Sequence, residues 1–203
     1  MPRKLPYHHG DLRNALLRAG LDILEADGLA ALSLRGVAAR VGVSHAAPAH
    51  HFGNLAHLLT ALATIAFERL AAAMARARAS ADNTPIEQMR AAGRGYWAFA
   101  RDNPALFRLM FSSAQFDLSD GALQSAAAAA RRHLVEISEP AATAFGADSA
   151  TDRSEIEKLV WSSIHGYAHL ALEGQFGADR AGAGEPPDVA RILFASAPVE
   201  AGL

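Results

Sequence analysis

The apolar residues of this chain recur with the period of an α-helix wherever they show a period at all. In the first such stretch, Leu16, Ala19 and Ile23 fall on one face of a helix predicted over residues 11–26. Gly28 follows that stretch and is typical of a residue that ends a helix. No stretch alternates apolar and polar residues as a half-buried strand does. We therefore predict an all-α protein with about nine helices.

Helix start signals divide the rest of the chain. Thr84, Pro85 and Glu87 form a predicted capping box, and Asp152 with Glu155 forms a second one at the start of a later helix. The predicted helices after the first cover residues 34–41, 45–51, 55–79, 85–102, 104–111, 120–137, 152–176 and 187–195.

Residues 33–52 have the spacing of a helix-turn-helix. This motif needs a small residue where two helices cross, then a residue with positive φ, then a cap that starts the second helix. Ala38, Gly42 and Ser44 occupy these positions in order. The helix over 45–51 is therefore predicted to enter the major groove of DNA.

Charge is distributed unevenly along the chain. The net charge of the 203 residues is −2, but residues 1–53 carry +2 and the remainder carries −4. Five of the nine histidines lie in the same first stretch, namely His8, His9, His45, His50 and His51. A positive net charge is expected of an N-terminal region that faces DNA, although a neutral protein also shows such a charge imbalance by chance.

Composition excludes several classes of function. The chain has no cysteine, so disulfides, thiolate zinc sites and cysteine nucleophiles are absent. No run of eighteen apolar residues and no signal-peptide pattern appears, which predicts a cytoplasmic protein without a membrane partner. No nucleophile elbow or phosphate-binding glycine loop is present, so we predict that the protein is not an enzyme and has no cofactor.

One known family has the same pattern of residues. The elements Leu32-Ser33, Val37-Ala38, Gly42-Val43-Ser44, His51-Phe52 and Leu58-Leu59, preceded by a helix ending Glu25-Ala26-Asp27-Gly28, resemble the TetR family of transcriptional regulators. The resemblance implies a homodimer in which residues 1–54 of each chain read one half of a palindromic operator in double-stranded DNA. It further implies that residues 55–203 bind a small-molecule ligand and form the dimer interface. The predicted function is that of a repressor released by this ligand.

The candidate DNA-binding residues lie at and after the starts of the two short helices. Ser33 and Ser44 are N-caps that also stand where phosphates approach. His45 is placed to hydrogen-bond a base edge, and Ala46 to contact a thymine methyl group. The full predicted set is Ser33, Arg35, Ser44, His45, Ala46, Pro48, His50 and His51.

Two positions depart from the family pattern. Members of the family usually have an aromatic residue three before Phe52 and a lysine three after it, and both commonly touch phosphates. This chain has Ala49 and Leu55 there. Each lost phosphate contact weakens DNA affinity. The alternative function is therefore a helical interaction module with degenerate DNA binding.

The C-terminal region has its own resemblance. Trp161, His165 and Gly166 resemble the Trp-His-Gly signature of one group of C-terminal domains in this family, and the stretch from Tyr96 to Phe111 resembles the same group. An apolar pocket with a few polar groups is typical of a ligand site, whereas core packing explains the same residues in an Ala-rich chain. The predicted ligand-binding residues are Trp97, Phe107, Met110, Phe111, Trp161, His165 and His169.

Two further patterns bear on assembly and metal binding. His165, His169 and Glu173 share one helical face at a spacing that suits a metal ion, although a histidine pair beside a ligand or an interface is the preferred interpretation. Gly166 favours a close helix contact, and the apolar last helix, residues 187–195, is predicted to be covered by a partner chain.

Overall fold

The computed structural model describes residues 9–112, 116–176 and 184–196, and within these ranges all regular structure is helical. Its elements are α1 (His9–Asp27), a 3-10 turn (Leu29–Ala31), α2 (Leu34–Val41), α3 (Ala46–Phe52), α4 (Leu55–Ala79), α5 (Pro85–Asp102), α6 (Pro104–Met110), α7 (Gly121–Ala144), α8 (Ala150–Leu172) and α9 (Val189–Ser196). The predicted all-α fold is confirmed. His8 and the rest of the N-terminal segment lie outside the described residues.

The chain packs as two compact units. The first contains the chain up to Ala66 together with Asn103–Ser125, and the second contains Phe67–Asp102 together with the chain from Ala126 onwards. The boundary thus falls within α4. The functional division into residues 1–54 and 55–203 stays a prediction.

In the first unit, α1 packs against α2, α3 and α6. Its predicted apolar face is buried, because Leu16 and Leu24 are almost inaccessible to solvent. Gly28 has a φ of 80° and ends α1 as expected. The short 3-10 turn that follows was not predicted, since three residues are too few to show a period.

One helix meets the length and composition required to cross a bilayer. The most apolar part of α4 has a mean hydropathy of 1.5 and is 44% buried. The prediction that no segment is long and apolar enough to cross a membrane therefore does not hold for α4. A core helix of a soluble protein meets the same requirement, and Leu58, Leu62 and Ala63 of α4 are completely buried within the first unit.

In the second unit, α5 packs against α8 and α9. A glycine allows α4 and α5 to approach closely, since a Cβ on Gly95 would lie 2.8 Å from the carbonyl oxygen of Ala73 and from the Cα of Met74. Exposed ion pairs join α7 to α8, one between Arg131 and Glu157 and another between Arg153 and Glu139.

Three of the predicted helix boundaries in this unit were wrong, and one of them is the end of α8, which lies at Leu172 and not at residue 176. Helix α8 begins one turn earlier than predicted, because the capping box is formed by Ser149 and Asp152 and not by Asp152 and Glu155. Helix α7 continues through Pro140, although a proline interrupts helical hydrogen bonding. Ile137 and Ala141 on either side are buried in the core, and this packing keeps the helix continuous.

The last helix is covered by its own chain. Ala190 and Leu193 belong to the core of the second unit, and Val189 and Phe194 pack against it. Only Ile192 among its large apolar residues is exposed. The expectation that a partner chain covers this helix is therefore wrong for most of its apolar face, which packs on α5 instead.

Candidate nucleic-acid interface and aromatic site

The turn between α2 and α3 has the predicted geometry. The hydroxyl of Ser33 caps α2 by accepting a hydrogen bond from the N–H of Gly36 at 3.1 Å. Gly42 adopts the left-handed conformation, with φ 76° and ψ 33°. Its N–H donates to Ala39, and the N–H of Val43 donates to Ala38. These bonds satisfy the last carbonyls of α2 and reverse the chain.

The start of α3 differs in detail from the prediction. The helix begins at Ala46, and the N-cap position falls on His45, whose side chain makes no capping hydrogen bond. Ser44 contributes its carbonyl, which accepts from the N–H of Ala47 at 3.0 Å. The predicted side-chain cap by Ser44 is therefore wrong, and a backbone hydrogen bond to Ser44 starts α3 instead.

Most of the predicted DNA-binding residues lie on the surface. Ser33, Arg35, Ser44, His45, Ala46 and His50 are exposed, and His51 is partly buried. Pro48 is fully buried, so it is not placed to contact DNA, as was predicted for it. Its ring instead fills the inner side of α3, because α3 docks on α1 and α2 through that side.

The C-terminal end of α3 is anchored from two sides. Phe52 is buried, and the guanidinium of Arg13 on α1 lies 5.2 Å from the centre of its ring. The Nδ1 of His57 lies 2.9 Å from the carbonyl oxygen of Phe52. A carbonyl only accepts, so Nδ1 carries the proton and donates. His57 also bonds Asn54, whose side-chain oxygen accepts from the His57 N–H.

A polar cluster that the sequence analysis missed holds the segment after α6 against α4. The buried hydroxyl of Thr60 accepts from the N–H of Asp117 at 2.9 Å and donates to the carbonyl of Ala56. The Asp117 carboxylate lies 3.9 Å from Nε2 of His57 and accepts from Ser119. The bonds from Ser119 hold the pKa of Asp117 below its usual value. No sequence pattern predicts the contact between Thr60 and Asp117, because the two residues are 57 positions apart.

In the second unit, a tyrosine and a histidine from different helices meet. The hydroxyl of Tyr96 on α5 lies 2.7 Å from Nδ1 of His165 on α8. Burial raises the pKa of Tyr96 well above its usual range, an effect that a hydrogen bond with Trp161 partly offsets. Burial, and secondarily His169, lower the pKa of His165 to about 4. The neutral phenol therefore donates to a neutral imidazole, whose own proton is on Nε2.

Aromatic rings surround this pair. The rings of Trp161 and His169 lie 5.6 and 4.6 Å from that of His165, centre to centre. Trp97 is buried and contacts Tyr167 edge-on at 5.3 Å. Four of the predicted ligand residues, Trp97, Trp161, His165 and His169, thus lie in the second unit.

The other three predicted ligand residues lie in the first unit. Phe107 and Met110 on α6 are buried, and Phe111 follows that helix with its ring 5.2 Å from that of Phe107. The burial of Phe107 and Met110 in the core of this unit gives them a packing role, whereas Phe111 is partly exposed. Whether any of the seven residues contacts a ligand stays a prediction.

Metal binding was a minor alternative for α8. Within residues 9–112, 116–176 and 184–196, no group of three histidine, aspartate or glutamate side chains is placed to hold a metal ion. The triple of His165, His169 and Glu173 is therefore not brought together as such a site.

Comparisons with known proteins agree with this geometry. A family model described as bacterial regulatory proteins of the tetR family matches residues 16–62, and a tetracyclin repressor-like C-terminal domain model matches residues 89–192. The HTH-type transcriptional regulator BetI of Stenotrophomonas maltophilia is 29% identical over 120 residues, which cover 51% of this chain and 61% of BetI. The match therefore spans less than two thirds of that relative.

Solved structures are similar over nearly the whole chain. A protein of unknown function from Rhodococcus sp. RHA1 is 34% identical with a TM-score of 0.77, and the match covers 95% of this chain and 98% of that one. The TetR family transcriptional regulator PfmR from Thermus thermophilus has the same fold, with a TM-score of 0.60, 20% identity and coverage of 94% and 95%.

The left-handed turn at Gly42 and the exposed helix after it define a helix-turn-helix, a motif by which transcriptional regulators bind DNA. With models for both of its domains matched, the chain belongs to the TetR family. The resemblance to the TetR family found in the sequence is thereby confirmed, and the matched C-terminal model covers Trp161, His165 and Gly166.

Proposed function

We propose that this protein is a homodimeric, cytoplasmic repressor that binds a palindromic operator through α3 and leaves it when a small molecule binds the C-terminal domain. The observation that carries the proposal is the outward face of α3. Its exposed side chains include His45, Ala46 and His50, while Pro48 and Phe52 anchor the opposite side. A short helix held in this way presents one face to the major groove.

Exposed groups around α3 suit the DNA backbone. Arg35 and Arg40 on α2 are exposed cations, and Ser33 and Ser44 lie at the surface near the starts of the two helices. Such groups position a protein on the phosphates, whereas base contacts select the sequence. This arrangement supports Ser33, Arg35, Ser44, His45, Ala46, His50 and His51 as the interface, without Pro48.

An exposed apolar surface on the second unit supports the dimer. Leu159 and Leu170 lie on the same side of α8 and are among the most exposed large apolar residues. An added Cβ on Gly166, on the same helix, would meet no atom within 4 Å. We infer that α8 of a second copy packs here, because two such faces bury each other's apolar surface.

The aromatic cluster around Tyr96 and His165 supports a ligand site. It combines flat apolar rings with a neutral imidazole, which suits a small, mostly apolar ligand carrying a hydrogen-bonding group. Release of DNA needs only a modest bias, since about 1.4 kcal/mol of preference for the released form lowers DNA affinity ten-fold.

Two matched variants test the DNA interface. Ala46→Glu adds a negative charge to the exposed face of α3, and Ala122→Glu adds the same charge to an exposed alanine of α7 in the same unit. In gel-shift assays at low salt on the DNA upstream of its own coding sequence, we expect Ala46→Glu to abolish binding and Ala122→Glu to retain it. Equal affinities for the two variants contradict the assignment of α3. No binding by the unmodified protein favours the interaction-module alternative.

The dimer surface has its own matched pair. Leu170→Glu places a charge on the exposed side of α8, whereas Leu118→Glu does so at an exposed leucine of the first unit. Light scattering should find monomers for the first variant and dimers for the second. Dimeric Leu170→Glu argues against α8 as the interface.

A further inference from the structure

The helix-turn-helix of this protein depends on histidines for positive charge. Between Arg40 and Arg69 the sequence has no lysine and no arginine. The side chains in this interval that are able to become cations are those of His45, His50, His51 and His57. The interval contains the whole recognition helix α3 and the start of α4.

These four histidines have different surroundings. His45 and His50 are exposed, and His51 is partly buried with its ring 5.6 Å from that of His50. The side chain of His57 is about half exposed (51%), but its ring bonds within its own unit, because its Nδ1 donates to the carbonyl of Phe52 and its Nε2 lies 3.9 Å from Asp117. Only the three in and beside α3 are therefore placed to meet DNA.

The neighbouring charges do not neutralise a proton on these three residues. Of the elements packed on α3, α1 contributes Arg13, which lies over Phe52, and α2 contributes the exposed Arg35 and Arg40. Within residues 9–112, 116–176 and 184–196, no carboxylate lies within 4.0 Å of His45, His50 or His51, whereas His57 lies 3.9 Å from Asp117. An anion that approaches α3 from outside is therefore the natural partner of an imidazolium there.

We propose that this protein binds DNA through the protonated forms of His45, His50 and His51, so that DNA binding takes up protons and weakens as the pH rises. The inference rests on the proposed DNA-binding function and names the chemistry of its contacts. These histidines supply what arginine and lysine supply elsewhere: hydrogen-bond donors for base edges and positive charge for phosphates.

The sign of the pH effect follows from linkage. Histidine side chains change charge between about pH 5 and pH 8, and a nearby phosphate favours the charged form. The DNA complex therefore holds more protons than the free protein. Each proton taken up changes the affinity by up to about ten-fold for each pH unit, in the direction of tighter binding at lower pH.

The test measures the affinity of the full-length protein for a labelled duplex from upstream of its own coding sequence, and for an unrelated duplex, between about pH 6 and pH 8. We expect at least about ten-fold tighter binding at the lower pH, the change that one linked proton per complex produces over a single pH unit. The salt dependence should also steepen at low pH, by about 0.9 in the logarithmic slope for each added cation at a phosphate.

Histidine variants identify which residues take up the protons when DNA binds. The triple variant His45→Gln, His50→Gln and His51→Gln should lose the pH dependence and bind at both pH values as weakly as the unmodified protein does at high pH. The control His133→Gln, on α7 of the second unit, keeps an acceptor for Arg78 and should leave the pH dependence unchanged. If the triple variant does not fold, as judged by circular dichroism, the single variants at the exposed His45 and His50 should each reduce the slope.

The outcomes separate the inference from the function on which it rests. Binding that is independent of pH, or a pH dependence that survives in the variants, overturns the histidine inference and leaves the DNA-binding function intact. Absence of binding to either duplex at every pH and at low salt overturns the proposed function itself.

Discussion

Replacing Gly95 by alanine tests the closest helix contact in the second unit. A Cβ at this position would lie 2.8 Å from both the carbonyl oxygen of Ala73 and the Cα of Met74, and 3.0 Å from the Ala73 carbonyl carbon. All three atoms belong to the backbone of α4, so no side chain can rotate out of the way. The helices must separate, and overpacking of this kind costs about 1–3 kcal/mol.

Gly93 supplies the matched control. It lies on the same helix, and the nearest atom to an added Cβ there is the Cδ1 of Ile164, at 4.0 Å. Alanine raises helix propensity at both positions by about 1 kcal/mol relative to glycine. Because this gain is common to both variants, the difference in their free energies of unfolding isolates the cost of the contact. We expect Gly93→Ala to stabilise the protein and Gly95→Ala to be less stable than Gly93→Ala by about 1–3 kcal/mol.

The assay is urea unfolding followed by circular dichroism, at one protein concentration because dimerisation contributes to stability. The slope of the free energy against urea should be the same for both variants, so the midpoints report stability directly. Equal midpoints would refute the close approach of α4 and α5 at Gly95.

Three other substitutions probe single contacts. Ser33→Ala removes the N-cap of α2 and should lower the free energy of unfolding by about 1 kcal/mol, measured by urea denaturation; an unchanged midpoint contradicts the cap. Thr60→Val leaves the N–H of Asp117 without its acceptor and should cost about 1–3 kcal/mol in the same assay, whereas Thr60→Ser should cost less. Arg90 donates to Asp188 and lowers the pKa of that carboxylate, so the pair stabilises α9 above the usual pKa of an aspartate and is lost as the pH falls through the lowered value. The protection factors of the α9 amides, which correct for the intrinsic pH dependence of exchange, should therefore fall at acid pH, and Asp188→Asn, which keeps a capping oxygen, should show low protection factors at neutral pH as well.

Local signals in the sequence predicted the helix-turn-helix well. Ser33 caps its own helix three residues away, and Gly42 turns the chain by its own backbone conformation. Interactions over such short distances depend on few other residues. A local signal is ambiguous where two residues compete for the same cap. Both Ser149 and Asp152 stand at the first position of a capping-box pattern, and only the folded chain shows that α8 starts after Ser149.

It was harder to predict which side of each helix is buried and which residues distant in the sequence contact each other. Pro48 is buried because α3 packs on α1 and α2 through the side that carries it. The seven residues of α3 are too few to show which side of the helix is buried. The bond between Tyr96 and His165 joins two helices 69 positions apart. The contact between Thr60 and Asp117 likewise depends on how the segment after α6 returns to α4.

By itself, the sequence determined that this protein is helical, where α2 ends and α3 follows, and which family it belongs to, because these features rest on periodicity and on residues within one turn of each other. The tertiary structure alone decided which side of each helix is buried, which polar groups meet and which histidines stay neutral. Those properties arise from the packing of distant segments, since burial and the electrostatic environment of a group depend on every element around it.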